Sequence, residues 1–80
     1  MATKRKHTAK TKSCAARASR YVAQYIEDTK DDPEDAVSDL IADLMHLCHL
    51  KYPKYGHSHA NLRRGRLAFE DEADGSWRNA

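Results

Sequence analysis

The segment from Asp32 to Leu50 constrains the fold of this chain more than any other part of its sequence. It opens with D-P-E-D-A-V, in which Asp32 suits a helix N-cap, Pro33 suits the first helical position, and acidic side chains follow in the first turn. Apolar side chains then recur every three or four residues and form one stripe: Val37, Leu40, Ile41, Leu44, Leu47 and Cys48. Tyr52-Pro53 disfavours helical backbone beyond this point. The sequence therefore predicts an amphipathic helix over residues 33–50.

A second helix is predicted before this segment. Ser13 suits an N-cap, and the residues after it place small, apolar or aromatic side chains at helical spacing: Ala15, Ala18, Val22, Tyr25 and Ile26. We expect this helix to span residues 13–29.

A third helix is predicted after a loop that contains Pro53 and Gly56. Ser58 suits its N-cap, and Leu62 and Phe69 lie two turns apart on one side of it. Gly65 in the middle weakens the helix by about 1 kcal/mol relative to alanine. We expect this helix to span residues 58–73.

The fold class is therefore all-α, with three short helices in a small bundle. Residues 1–12 hold no large apolar side chain except Met1, so we predict a disordered basic arm there. Residues 13–74 are predicted as a single three-helix domain and residues 75–80 as a frayed tail. A core in a chain of 80 residues rarely supplies more than about 3–5 kcal/mol, which favours a homo-oligomer or a subunit of a complex.

Charge is divided into four blocks along the chain, although the formal net charge is only +2. Residues 1–20 carry seven Lys or Arg and no acid, whereas residues 21–50 carry eight acids and one Lys. Residues 51–69 carry five bases and no acid, and residues 70–80 carry four acids and one Arg. Surfaces of opposite charge can attract different partners or pair with each other inside the molecule.

Two charged surfaces are candidate binding sites. The acidic face of the middle helix holds Asp35, Asp39 and Asp43, and it would dock a basic partner or mimic phosphates. The alternatives are pairing with arginines of a neighbouring helix or a solvated face. The basic residues would bind a protein partner or the phosphates of a nucleic acid. They are Lys4, Arg5, Lys6, Lys10, Lys12, Arg17, Arg20, Arg63, Arg64 and Arg66.

Imidazole and thiol side chains cluster in a segment of fourteen residues: His46, Cys48, His49, His57 and His59. These are zinc ligands by type, but their spacing matches no standard zinc signature. We therefore predict no metal and no other cofactor, with the histidines solvated near a helix end and Cys48 packed as a small apolar side chain. Cys14 and Cys48 are expected to be free thiols.

The sequence favours a protein that is not an enzyme. It contains no nucleophile elbow, no glycine-rich phosphate loop and no carboxylate pair that can be assigned to a cleft. It also lacks a run of about 20 apolar residues and an apolar segment after the basic start, so we expect neither a transmembrane helix nor a signal peptide. A cytoplasmic protein without membrane contact is expected.

The stretch D-P-E-D-A-V-S-D-L-I-A-D-L-M-H, residues 32–46, resembles a segment of small proteins of bacteriophages, prophages and other mobile elements. In that loose family an acidic turn opens a helix that ends in a D-L-[LI]-A-D-L-M-H type pattern. A loop and a shorter Arg-containing helix similar to residues 61–72 follow. The resemblance covers about residues 30–72, although residues 52–59 are more basic and His-rich than the usual connection. It implies a compact helical protein in a bacterial host cell and carries over no functional residue.

Two hypotheses of function follow from these features. The first is a small protein of a phage or mobile element that binds a host or phage protein, because the core is marginal and the charge is segregated. The resemblance further suggests that it antagonises host defence or redirects host machinery. The alternative is a nucleic-acid-associated protein that places its basic arm and Arg cluster on phosphates.

Overall fold

The structure, a computed structural model, describes residues 9–73 of the chain. These residues form three α-helices, α1 (Ala9–Thr29), α2 (Pro33–Leu50) and α3 (Ser58–Glu72), and the described part of the chain contains no β-strand. The all-α fold class predicted from the sequence is therefore confirmed. The greater part of the predicted basic arm, residues 1–8, and the predicted tail at residues 75–80 lie outside the described residues.

Helix α2 has the bounds that its sequence predicts. Asp32 has extended backbone, and its carbonyl oxygen accepts hydrogen bonds from the backbone N–H groups of Asp35 and Ala36, both at 3.0 Å. Pro33 occupies the first turn, where its missing N–H leaves no hydrogen bond unmade. The side chain of Asp32 makes no capping hydrogen bond, so this residue begins the helix through its backbone alone.

Helix α1 is longer than predicted, because Ala9–Lys12 are helical and Ser13 is not its N-cap. The hydroxyl of Ser13 donates to the carbonyl oxygen of Lys10 at 3.2 Å, which is the contact of a serine inside a helix. Alanine and lysine have high helix propensity, so a helix already formed by the following residues extends through this segment. The assignment of residues 9–12 to a disordered arm is therefore wrong.

Helix α1 ends at a residue with left-handed backbone. Lys30 has a φ of 61°, and its N–H donates to the carbonyl oxygen of Ile26 at 2.7 Å. The hydroxyl of Thr29 donates to the carbonyl oxygen of Tyr25 at 2.8 Å and accepts from the N–H of Asp31 at 3.2 Å. These bonds satisfy groups that a helix end leaves open, and they fix the short turn into α2.

Helix α3 is capped by His57 instead of the predicted Ser58, which is its first helical residue. The Nδ1 atom of His57 accepts a hydrogen bond from the backbone N–H of His59 at 3.2 Å. An imidazole nitrogen therefore takes the acceptor role that a serine oxygen usually fills. The helix ends at Glu72, one residue before the predicted end.

Helix α2 is the central element, because it packs against both α1 and α3. Ala36 on α2 is fully buried, and it is the one buried hydrophobic residue in the described part of the chain. Because Ala36 has no exposed surface, its position leaves little space for a larger side chain.

The burial of Ala36 predicts a position-specific cost of a larger side chain. Ala36→Leu is expected to lower the free energy of unfolding by about 1–3 kcal/mol, because the added methylenes have no space where α2 packs. Ala42→Leu is the matched control, since Ala42 is exposed on the same helix, and we expect it to change stability by less than about 0.5 kcal/mol. Urea denaturation followed by circular dichroism measures both; equal effects of the two substitutions would contradict this packing.

Candidate functional site

An apolar groove with a volume of about 410 Å³ lies between α2 and α3. Helix α2 lines it with side chains of its apolar stripe and with Met45, and α3 lines it from its first residue to near its end. The lining residues are Ile41, Leu44, Met45, Cys48, Ser58, Asn61, Leu62, Gly65, Arg66 and Phe69. We call this feature the α2–α3 groove.

The walls of the α2–α3 groove are only half covered by the rest of the chain. Leu44 is 50% exposed, Leu62 is 46% exposed and Phe69 is 48% exposed. Side chains of this size contribute about 1.5–3 kcal/mol each when they are fully buried. A large part of that stabilisation is therefore left unused until another molecule covers the groove.

Asn61 joins α2, α3 and the loop between them at one end of the groove. Its Nδ2 atom donates to the carbonyl oxygen of Tyr55 at 2.7 Å and to Cys48 Sγ at 3.3 Å, and its Oδ1 atom accepts from Arg64 Nη2 at 2.9 Å. Gly56 makes this contact possible, because it has a φ of 85° and a Cβ there would lie 3.3 Å from Asn61 Nδ2. The amide of Asn61 therefore fixes the start of α3 against α2.

The predicted acidic face lies partly against α1. Asp35, Asp39 and Asp43 are exposed, but Asp43 Oδ2 accepts a hydrogen bond from the hydroxyl of Tyr25 at 2.6 Å. This hydrogen bond to Asp43 raises the pKa of Tyr25 to about 12, with smaller contributions from desolvation and nearby carboxylates. The acidic face therefore contributes a link between α1 and α2 as well as an exposed surface.

Asp31, in the turn before α2, adds a second contact to this face. A hydrogen bond between Asp31 and Asp39 raises the pKa of Asp31, with further contributions from desolvation and from the charges of Asp39, Asp35 and Asp32. Because the folded state binds this proton more tightly than the unfolded state, the effect stabilises the fold at low pH. That stabilisation is lost as the pH rises through the folded-state pKa of Asp31.

The basic residues of the sequence analysis are exposed on two helices. Lys10, Lys12, Arg17 and Arg20 lie on α1, and Arg63, Arg64 and Arg66 lie on α3. None of these seven forms an ion pair with a carboxylate of the described residues, where Lys30–Glu27 is the ion pair present. The pairing of arginines with the acidic face, considered above as an alternative, is thus not formed within residues 9–73. Lys4, Arg5 and Lys6 lie outside the described residues.

The His/Cys cluster does not bring three ligand atoms together. Among the described residues, no three of the five candidates His46, Cys48, His49, His57 and His59 have ligand atoms close enough to share a metal ion. Cys48, His49 and His57 line a small hollow of about 240 Å³ instead. Within the described residues, the three ligands that do approach one another are the exposed carboxylates of Asp32, Glu34 and Asp35, and exposed acidic groups are common without an ion. Both cysteines are free.

Sequence reasoning missed three residues of this arrangement. It treated Gly65 only as a weak point in a helix, whereas Gly65 lines the groove. It placed Tyr25 among the apolar positions of α1, whereas the hydroxyl of Tyr25 donates to Asp43. It assigned no role to Asn61, whose amide donates to the carbonyl oxygen of Tyr55. The spacing of Leu62, Gly65 and Phe69 on one face of α3 is a signal for the groove that the sequence does contain.

No helix among the described residues is long and apolar enough to cross a membrane. Comparisons of the chain with known protein families, with curated proteins and with solved structures found no match. The geometry described above is therefore the basis for the proposed function.

The Tyr25–Asp43 hydrogen bond predicts a pH-dependent contribution to stability. The folded-state pKa of Tyr25 is about 12 and its ordinary value is 10.0, so the contribution is present below about pH 10 and is lost as the pH rises through 12. Tyr25→Phe should therefore destabilise the protein more at about pH 9 than at about pH 12 in urea denaturation.

Tyr21→Phe is the control for this prediction. Tyr21 is 64% exposed on the same helix, and its hydroxyl makes no hydrogen bond within the described residues. Its removal should leave stability unchanged at both pH values. A Tyr25→Phe effect that does not depend on pH would contradict the assigned hydrogen bond.

Proposed function

We propose that this chain is a small non-enzymatic protein of a phage or mobile element that binds a host or phage protein, and that the α2–α3 groove is its binding surface. The resemblance of residues 32–46 to proteins of mobile elements supports the origin. On that basis we also propose that it acts on host defence or other host machinery in the bacterial cytoplasm.

The observation that carries this proposal is an apolar groove in a chain that buries very little of its apolar surface. One hydrophobic residue, Ala36, is buried within residues 9–73, whereas the large apolar side chains of the groove are about half exposed. Contiguous exposed apolar surface with polar surroundings is typical of protein interaction sites. A partner that covers the groove also stabilises the folded chain, because it binds the folded state and not the unfolded state.

Two leucines on α3 allow a matched test of the proposed surface. Leu62 and Leu67 are each 46% exposed, but Leu62 lines the groove and Leu67 does not. Leu62→Glu should therefore abolish capture of a stoichiometric protein partner from a nuclease-treated bacterial lysate, because it places a charge against the apolar surface of the partner. Leu67→Glu should capture the same partner as the unchanged chain.

Two results would contradict the proposed surface. One is the absence of any stoichiometric protein from the captured material at every salt concentration tried. The other is an equal loss of the partner in Leu62→Glu and Leu67→Glu when circular dichroism shows that both variants remain helical, because the loss would then not be specific to the groove.

Nucleic-acid binding is the second candidate function, and the exposed cations of α1 favour it. Lys10, Arg17 and Arg20 lie near one another on one face of α1 by helical spacing, and none of them is paired with a carboxylate of the described residues. Such a face, continued by the basic residues before Ala9, can bind phosphates with release of counterions.

A gel shift at two salt concentrations tests this second candidate. Phosphate binding should weaken steeply between about 50 and 200 mM salt, and Arg17→Gln with Arg20→Gln should lower the salt dependence by up to about two ion equivalents. Arg63→Gln with Arg64→Gln removes the same charge from α3 and serves as the comparison. No shift at low salt would remove nucleic-acid binding from consideration.

A further inference from the structure

We infer that the occupant of the α2–α3 groove is an amphipathic helix of a partner protein that carries a carboxylate beside its apolar anchor residues. This inference rests on the proposed function and names the chemistry of the partner. Three properties of the groove support it: its size and half-exposed walls, the glycine in its lining, and the arginine in its lining.

The groove has the size and openness that suit side chains projecting from a helix. Its volume of about 410 Å³ accommodates a few apolar side chains, and its walls at Leu44 and Leu62 are about half exposed. These walls form an open trough, whereas a small molecule is usually bound in a cleft or cavity that buries about 70–90% of its surface. Helices that bind in grooves insert anchors at i, i+3 or i+4 and i+7, and these anchors need an open trough of this kind.

Gly65 provides the space for a close approach of such a helix. A Cβ at this position would meet no atom within 4 Å outside its own helix backbone and its chain neighbours, and the residue does not have a positive φ. Nothing within the described residues therefore requires a glycine there, although glycine costs about 1 kcal/mol relative to alanine in a helix. A glycine that costs stability but leaves the centre of an apolar groove open is explained by the approach of another backbone.

Arg66 gives the groove its charge preference. It lines the groove, and within the described residues it forms no ion pair, even with Glu70 one turn further along α3. Arg66 is the one charged residue in the lining that the described residues form, and the carboxylates of α3 follow the lining at Glu70, Asp71 and Glu72. A partner helix with a carboxylate next to its anchors would pair with Arg66, whereas a basic helix would be repelled.

A second copy of this chain fits the groove less well than such a helix. Its own acidic amphipathic helix is α2, whose apolar side lines the groove, while Asp43 accepts a hydrogen bond from Tyr25 of α1. A two-fold pairing through the grooves would therefore present Arg66 of each copy to a surface that also carries Arg66. The charge of the groove favours a different chain.

Two synthetic peptides test the inference on the full-length protein. Both are stapled helices of about five turns with leucine at i, i+3 and i+7. One has glutamate and the other has lysine at the positions that flank the leucines. We expect the glutamate peptide to bind roughly five- to tenfold more tightly in fluorescence anisotropy at low salt, and the difference to shrink at about 1 M salt.

Variants of Arg66, Arg63 and Gly65 on α3 test whether the preference for the glutamate peptide arises from the groove. Arg66→Glu should reverse the preference, whereas Arg63→Glu makes the same charge change on the same helix outside the groove lining and should retain it. Gly65→Leu should abolish binding of both peptides by filling the groove. Gly65→Ala is its control for helix propensity and should weaken binding much less, while circular dichroism reports that both variants stay helical.

The outcomes separate this inference from the proposed function. Equal binding of both peptides, lost in Gly65→Leu, would retain the groove as a protein-binding surface and overturn the acidic partner. Failure of both peptides to bind at millimolar concentration would overturn the helical occupant, while the Leu62→Glu capture experiment still tests the proposed function. A protein that sediments as a dimer and becomes a monomer in Gly65→Leu would identify a second copy as the occupant and overturn the inference.

Discussion

The structure depends on the apolar stripe of α2, because α2 is the helix that packs against both α1 and α3. Part of this stripe lines the groove together with α3. Ala36 alone among the hydrophobic residues of the described chain is fully buried, and Leu44 stays half exposed. The groove is the part of the stripe that stays about half exposed among the described residues.

The sequence predicted helix bounds best where those bounds depend on residues close together in the chain. The bounds of α2 follow from Asp32 and Pro33 at its start and from the Tyr52-Pro53 pair beyond its end, so sequence and structure agree there. The starts of α1 and α3 were less predictable, because a serine competes with its neighbours for capping roles. Ser13 is not an N-cap, because α1 already begins at Ala9. Ser58 is the first residue of α3, and His57 is the N-cap instead.

The contacts between helices could not be predicted from the sequence pattern. Counting charges identified the acidic face of α2 but not that the hydroxyl of Tyr25, which looked like an apolar position of α1, would bind Asp43. The groove depends in the same way on how α3 is placed against α2, and that placement is fixed by Asn61, a residue with no distinctive pattern around it. Side-chain type and spacing predicted the faces; the partner of each face depends on the tertiary arrangement.

An apolar groove that is about half exposed would couple folding to the binding of the partner proposed for it. Gly65 lines the groove, and a Cβ there would meet no atom within 4 Å outside its own helix backbone and its chain neighbours. This glycine costs about 1 kcal/mol relative to alanine in a helix, and it adds no side chain to the groove. A partner that binds only the folded state would add RT ln(1 + [L]/Kd) to its stability, so the folded population would depend on the partner concentration. A small core and an open apolar groove are therefore related properties of the described residues, and the partner proposed above would account for both.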